Sequence, residues 1–138
     1  MSAAPIPLEI TILLLISDPV ARLVFQEILE RAGYVVLPAG DLGSAVDRLK
    51  QDAPDLLLTR GYISNITGHD AAVYLRSKSP GIPVLIVGGL LNDDRLQYRE
   101  WLQHFDVFPK PYSAEELLDK VKEVLAKRPA LRENFEKP

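Results

Sequence analysis

The sequence has 138 residues, of which 47% are apolar and 25% charged, and this composition is ordinary for a single globular domain. The absence of cysteine excludes disulfides and thiolate metal sites, and the net charge of −3 at pH 7 predicts no general attraction to nucleic acid or to an anionic membrane. Residues 1–7 lack the features of a signal peptide, and the longest apolar run is too short to span a bilayer, so we expect a cytoplasmic protein.

The first apolar run, at positions 10–16 (ITILLLI), predicts a buried strand. Asp18 and Pro19 then predict the start of a helix, because Asp is a favoured N-cap residue and Pro a favoured first helical residue. Gly33 predicts the end of this helix. The apolar residues that recur in it at helical spacing are Val20, Leu23, Val24, Ile28 and Leu29.

The same alternation of strand and helix continues along the chain. Further strands are predicted at positions 34–37, 55–59, 82–87 and 106–109, with helices after Asp41, at about 68–77, at 93–103 and after Ser113. Asp41 is the predicted cap of the second helix, and Ser113 with Glu116 forms a capping box at the last one. Positions 60–67 are predicted to form a loop.

Apolar strands that alternate with amphipathic helices predict the α/β class, with a parallel sheet covered by helices on both faces. In such sheets, functional residues lie at the carboxyl ends of the strands. The residues at these ends are Ser17-Asp18, Arg60, Gly88-Gly89 and Lys110. We expect the domain to span positions 10–127, between an N-terminal extension at 1–9 and a polar tail or start of a linker at 128–138.

The order and spacing of several motifs resemble the receiver domain of two-component response regulators. The motifs are LLLISDP at 13–19, PDLLLTR at 54–60, IPVLIVGG at 82–89, Lys110-Pro111-Tyr112, and SAEELLDKV at 113–121. The resemblance covers positions 10–126 and implies a flavodoxin-like, doubly wound (βα)5 sandwich of three layers with strand order 2-1-3-4-5. It also implies a role in a phosphorelay, with a histidine kinase, another signalling protein or a second copy of the chain as partner.

The chemistry of the site departs from the family pattern. In the family, two acids and the phosphoacceptor Asp hold Mg²⁺, but here Ser17 replaces one acid and Arg60 replaces the phosphoacceptor. Gly88 stands where the family has a hydroxyl residue. Val107, next to Phe108, stands where the family has a switch aromatic.

Asp18 and Lys110 remain from the family's polar residues, and together with Arg60 they leave a pocket that is formally positive. An arginine has no carboxylate on which an acyl phosphate could form, and it stays protonated. The sequence therefore predicts a pseudo-receiver. Such a domain is not an enzyme, binds neither Mg²⁺ nor another cofactor, and acts as a phosphorylation-independent module that binds proteins.

Two other functions stay open. Arg60 and Lys110 could bind an anion or a small ligand, or the chain could be phosphorylated at a non-standard residue such as Asp55. Asp18 is either a relic of metal binding or the N cap of its helix. Arg60 is an ion-pair partner of Asp18, an anion-binding residue or a neutral surface substitution.

Aromatic residues on and near the fourth helix and the fifth strand form a candidate partner surface, in the region where the resemblance also places one. They are Tyr98, Trp101, Phe108 and Tyr112. For Trp101 the alternative is packing onto the sheet. The resemblance further implies a cis peptide bond before Pro111, and we expect His69 and His104 on the surface without a metal.

Overall fold

The computed structural model describes residues 9–88, 95–108 and 113–127. For residues 95–98 it describes only the backbone. The strands within them are β1 (Thr11–Leu15), β2 (Val35–Ala39), β3 (Leu56–Arg60), β4 (Tyr62–Ile63), β5 (Ile66–Thr67), β6 (Val84–Val87) and β7 (Asp106–Phe108). The helices are α1 (Pro19–Arg31), α2 (Leu42–Asp52), α3 (Gly68–Lys78), α4 (Arg95–Leu102) and α5 (Ala114–Leu125). None of these described helices is both long and apolar enough to cross a membrane. The predicted domain limits stay predictions, since positions 1–8 and 128–138 lie outside the described residues.

Five of the strands form one parallel sheet in the order β2-β1-β3-β6-β7. The short strands β4 and β5 pair only with each other, so the order of the main sheet is the predicted 2-1-3-4-5 and the predicted fold class is confirmed. Helices α1 and α5 cover one face, and α2, α3 and α4 cover the other. This three-layer arrangement follows from strands that are apolar on both sides and must be covered on both.

Strand β1 is buried along almost its whole length. From Ile12 to Leu15, and on to Ile16 beyond the strand, every residue is 0% exposed. Successive side chains enter opposite layers, and burying each one stabilises the fold by about 1.5–3 kcal/mol. Thr59, the one buried polar residue among those described, donates from Oγ1 to the backbone oxygen of Leu15 at 2.9 Å. The hydroxyl therefore ties β3 to the end of β1.

The helix starts that were predicted from capping residues are confirmed. Asp18 accepts a hydrogen bond from a backbone amide of α1 at 3.2 Å, and Asp41 accepts one from α2 at 2.7 Å. Ser113 and Glu116 make both hydrogen bonds of the capping box at α5. Gly33 follows α1 with a φ of 99°, the left-handed conformation that favours glycine after a helix.

Positions 60–67 were expected to form a loop, but they contain an antiparallel hairpin. Strands β4 and β5 pair through Tyr62 with Thr67 and Ile63 with Ile66. Ser64 turns the chain between them with a φ of 53°. Strands of two residues are too short for an alternating pattern to be visible in the sequence, so this element was missed.

Helix α1 packs on the sheet with a face that only partly matches the apolar residues identified in its sequence. The residues that contact the sheet are Ala21, Phe25, Ile28 and Leu29. Val20, Leu23 and Val24 are instead 70%, 65% and 51% exposed. Both sets recur at helical spacing, so periodicity alone could not distinguish the packed face from the exposed one.

Trp101 was expected on a partner surface, but it is 5% exposed and belongs to the core beneath α4. Its ring stacks on that of His69, with 5.8 Å between centroids and 18° between planes. The ring of His104 lies 5.6 Å from that of His69. Trp101 is therefore not on a partner surface, and its packing agrees with the alternative stated for it. The side chain of His69 is partly buried, at 22% exposure, and His104 is exposed as expected. The contact of Trp101 with His69 joins α4 to α3, which sequence spacing does not show.

Gly68, the first residue of α3, lies directly against the end of β3. A Cβ at this position would be 2.0 Å from the backbone oxygen of Arg60, which cannot move without displacing the strand. We expect Gly68→Ala to lower the free energy of unfolding by about 3 kcal/mol, measured by urea denaturation. Gly43→Ala is the matched control, since a Cβ there has its nearest neighbour at 3.5 Å, and it should be neutral or stabilising by up to about 1 kcal/mol. Similar losses in both variants would contradict this account.

Candidate functional site

The carboxyl ends of β1, β3 and β6 lie side by side, because these strands are parallel neighbours. We call this border of the sheet the carboxyl edge. Ser17 follows the end of β1, and Arg60 ends β3. Arg60 pairs with Val87, the residue before Gly88. Three of the candidate residues, Ser17, Arg60 and Gly88, therefore come together at the place where α/β sheets form their sites.

Arg60 is half-buried at the end of its strand. By the alternation of a strand, its side chain continues the row of Leu56 and Leu58, on the face covered by α1 and α5. The chain then folds back through the β4–β5 hairpin, and the Gly68 amide donates to the carbonyl oxygen of Gly61 at 2.8 Å. The hairpin thus fixes the backbone that holds Arg60.

Asp18 is exposed, and its carboxylate accepts the hydrogen bond that caps α1. Within the described parts of the chain it makes no ion pair with Arg60 or with any other residue. The Asp18–Arg60 ion pair, one of the three interpretations of Arg60, is therefore not formed. The physical reason is that the amides at the start of α1 bind this carboxylate and the helix dipole favours its charge there. The structure supports the N-cap interpretation of Asp18.

Arg22 is a further cation at the carboxyl edge that was not predicted from the sequence. Arg22 donates from Nη1 to the backbone oxygens of Ile16 at 2.8 Å and Ser17 at 3.4 Å. Gly40 makes room for it, since a Cβ there would lie 2.9 Å from this nitrogen. A signal for this contact exists in the sequence, because side chains of a helix lean toward its N terminus. An arginine in the second turn of α1 can therefore reach back to the end of β1.

The described part of the carboxyl edge holds two arginines, Arg22 and Arg60. Asp18 and Asp41 lie near it in sequence, but both act as helix caps. Hydrogen bonds from Ser44 hold the pKa of Asp41 below its usual value, which keeps it ionised in that role. Among the residues of known position, no three His, Asp or Glu side chains are grouped so that they could hold a metal ion. This distribution of charge suits an anion better than a cation.

Asp55, the alternative phosphoacceptor, lies at the opposite border of the sheet. Its Oδ2 accepts a hydrogen bond from the Thr11 amide at 2.8 Å, and its own amide donates to the Thr11 oxygen at 2.7 Å. The whole of β3 separates it from Arg60. The Asp55 carboxylate therefore joins the starts of two strands and does not belong to the candidate site.

Phe108 is half-buried at the end of β7, and its carbonyl oxygen accepts a hydrogen bond from the Gly88 amide at 2.8 Å. Val107, the residue at the place of the family's switch aromatic, is 3% exposed. The remaining candidate residues lie outside the described residues or, for Tyr98, the described side chains; they are Gly89, Tyr98, Lys110, Pro111 and Tyr112. Their predicted roles stay predictions, as does the cis bond before Pro111.

Comparison with known proteins agrees with this architecture. A family model described as the response regulator receiver domain matches residues 12–122. The probable transcriptional regulatory protein TcrX of Mycobacterium tuberculosis is 27% identical over 117 residues, which are 84% of this chain and 50% of TcrX, so the chain spans about half the length of that relative. Sporulation initiation phosphotransferase F of Bacillus subtilis is 26% identical over 104 residues, which are 75% of this chain and 84% of that protein.

Solved structures show the same fold. The CheY-like response regulator receiver domain protein of Methanospirillum hungatei JF-1 superposes with a TM-score of 0.75 at 23% identity. The superposition covers 87% of this chain and 96% of that one. At 23% identity this similarity shows the fold alone. The chemistry of the carboxyl edge depends on this chain's own residues.

Replacement of Asp18 can separate a capping role from a metal-binding role. Asp18→Ala removes the acceptor for the α1 amide and should lower the free energy of unfolding by about 1 kcal/mol, whereas Asp18→Asn keeps an acceptor and should cost only a few tenths. Urea denaturation in EDTA and again in millimolar Mg²⁺ provides the measurement. We expect the same values in both solutions. A difference between the solutions that Asp18→Ala abolishes would instead show that Asp18 binds metal.

Proposed function

This chain belongs to the response regulator receiver domain family, and from that premise we propose that it is a pseudo-receiver. In this proposal it is a non-enzymatic cytoplasmic module that binds protein partners in a two-component type pathway and is not phosphorylated. Family membership supports the signalling role and the dependence on protein partners. The independence from phosphorylation and from Mg²⁺ is proposed from the residues at the carboxyl edge.

The observation that most supports the proposal is the identity of the residue that ends β3, which is Arg60. An acyl phosphate forms on a carboxylate oxygen, and a guanidinium has no oxygen and no tendency to lose its proton. The nearby acid Asp18 is used as a helix cap, and Asp55 lies at the opposite border of the sheet. Neither of them stands in the position of a phosphoacceptor.

The proposed loss of Mg²⁺ binding rests on charge at the same edge. Mg²⁺ is held by oxygen ligands, of which carboxylates are the most effective. Ser17 and Arg60 occupy two of the family's acidic positions, and the guanidinium of Arg22 is bonded to backbone oxygens at the end of β1. Two fixed positive charges near the site repel a divalent cation.

Anion binding by Arg60 and Lys110 is kept as a second candidate function. It is favoured by one observation, that Arg60 is half-buried and has no ion-pair partner among the described residues. A half-buried cation without a counter-charge is more costly than a paired one, so an anion bound there would stabilise the domain.

The exposed apolar side chains of α1 support the protein-binding part of the proposal. Val20, Leu23 and Val24 are each more than half exposed and lie on one side of the helix. Contiguous exposed apolar residues are typical of interaction surfaces. The region around α4, β7 and α5 stays the other proposed contact surface, with Phe108 at its border.

Incubation with acetyl phosphate and Mg²⁺, followed by intact-protein mass spectrometry, tests the absence of phosphorylation. We expect the parent chain to stay unmodified, because Arg60 cannot form an acyl phosphate. Arg60→Asp should bind Mg²⁺ only weakly, and the added change Ser17→Asp should strengthen binding by about tenfold or more, since each carboxylate supplies a hard oxygen ligand. Amide shifts near Ser17 report the binding, and Arg31→Asp, on the exposed side of α1, is the charge-matched control. A phosphorylated parent chain would refute the proposal.

Insensitivity to a phosphoryl mimic is the second test. Self-association is measured by sedimentation, and binding to proteins recovered by affinity pull-down is measured by titration, each with and without beryllofluoride and Mg²⁺. We expect the parent and Arg60→Ala to bind equally well under both conditions, because a ligand without differential affinity for two states shifts neither. A several-fold rise in the parent's affinity with the mimic would show that the site still works as a switch.

A further inference from the structure

We infer that the domain has a separate anion-binding site, a groove between α2 and the end of β2 that binds a small phosphate monoester. The groove has a volume of about 430 Å³, and its charged lining residues are Arg22, Asp47 and Arg48. Ser17, Arg60 and Gly88 do not line it. The groove shares Arg22 with the carboxyl edge but does not include Arg60, on which the proposed function mainly rests, so the two can be tested separately.

Arg22 is held in place before any ligand binds. Its Nη1 is fixed by the backbone oxygens of Ile16 and Ser17, and the missing side chain of Gly40 leaves room for the guanidinium. Nε and Nη2 make no hydrogen bond to the residues that the structure describes. A guanidinium that is already oriented loses little conformational freedom on binding, and its free donors have the fork geometry that suits a phosphate.

Arg48 provides the second positive charge from α2. It is half-buried, and in the described ranges it has neither an ion pair nor a hydrogen bond through its side chain. The negative charge of Asp47 offsets one of the two arginine charges, so the charged lining residues carry a net charge of +1. The start of α2 contributes nothing, because Asp41 already accepts the hydrogen bond of the Ser44 amide. The proposed site therefore depends on the two arginines and not on a helix end.

A larger cavity of about 560 Å³ lies near the starts of β6 and β7. Its cations already have hydrogen-bond or ion-pair partners. Arg76 lines it but donates to the backbone oxygens of Ile82 at 2.8 Å and His104 at 3.3 Å. Lys127 also lines it and is paired with Asp106 at 2.8 Å. All three guanidinium nitrogens of Arg76 therefore donate to oxygens, whereas Arg22 uses only Nη1 and leaves Nε and Nη2 for a ligand. This contrast favours the smaller groove as the anion site.

The chemistry of the groove points to a phosphate dianion with a small substituent. The two guanidinium groups offer several donors to its acceptor oxygens, more than a single carboxylate could use, and the net positive charge of the lining attracts an anion. Asp47 disfavours ligands with a second anionic group close by. A phosphate monoester such as glycerol 1-phosphate therefore fits better than a polyphosphate.

Titration of the ¹⁵N-labelled full chain at constant ionic strength, first with inorganic phosphate and then with glycerol 1-phosphate, tests the inference. We expect saturable amide shifts at Gly40 and along α2. Arg48→Ala should weaken binding by about tenfold, the loss expected for one charge-assisted contact. Asp47→Asn should strengthen it several-fold. Lys50→Ala, which removes an exposed cation outside the groove from the same helix, is the matched control and should change nothing.

Arg22→Ala should also weaken binding, but it removes hydrogen bonds to the end of β1, so Arg48→Ala is the decisive variant. Arg60→Ala separates the two candidate anion sites. Binding that survives Arg60→Ala and is lost in Arg48→Ala supports the α2 groove, whatever the outcome of the phosphorylation test. Binding that is lost in Arg60→Ala alone, shifts that never saturate, or equal losses in Arg48→Ala and Lys50→Ala would overturn the inference.

Discussion

The architecture depends on a strand, β1, that is buried on both faces and hydrogen-bonded along both sides. Its partners are β2 and β3, and no side chain from Ile12 to Ile16 reaches solvent. Such a strand leaves no position along its length for polar chemistry, because an unpaired polar group there would cost several kcal/mol, roughly 2–7 by transfer measurements. Polar side chains can therefore begin only where the strand ends, which confines the site to the carboxyl edge.

The end of a buried strand leaves backbone oxygens that need donors. In this chain Arg22 supplies donors to Ile16 and Ser17, and the Thr59 hydroxyl supplies one to Leu15. The first of these contacts places a fixed positive charge at the end of β1. Arg22 thus has a structural role in closing β1, and its charge also contributes to the proposed loss of metal binding at this edge.

Local signals predicted the fold well. The starts of α1, α2 and α5 were predictable because Asp18, Asp41 and Ser113 cap them through hydrogen bonds to residues two or three positions away. The strands were predictable because they are short apolar runs. The strand order came from the family resemblance, since periodicity alone does not fix which strands are neighbours.

Apart from the short β4–β5 hairpin, the errors concern contacts between distant parts of the chain. The stacking of Trp101 on His69, and the choice of packed face on α1, depend on how helices meet the sheet. The candidate site was predicted only in part for the same reason. The positions of Ser17, Arg60 and Gly88 follow from strand ends, but the contact of Arg22 with Gly40 joins α1 to β2 and has no local signature.

The backbone at Gly88 adds a third departure from the family pattern to those at Ser17 and Arg60. Gly88 has a φ of 52°, and its amide is bonded to the carbonyl oxygen of Phe108. In this left-handed region a residue with a Cβ costs about 1–2 kcal/mol, and a β-branched threonine is especially disfavoured. A hydroxyl residue introduced there would either strain the backbone or change its conformation. In both cases, placing its oxygen at the family position would cost conformational free energy. Carboxylates restored at Ser17 and Arg60 would supply a metal site and a nucleophile but would leave this backbone as it is. In the proposed pseudo-receiver the three departures act on metal binding, on the nucleophile and on backbone conformation, so restoring any one of them alone should not restore a switch.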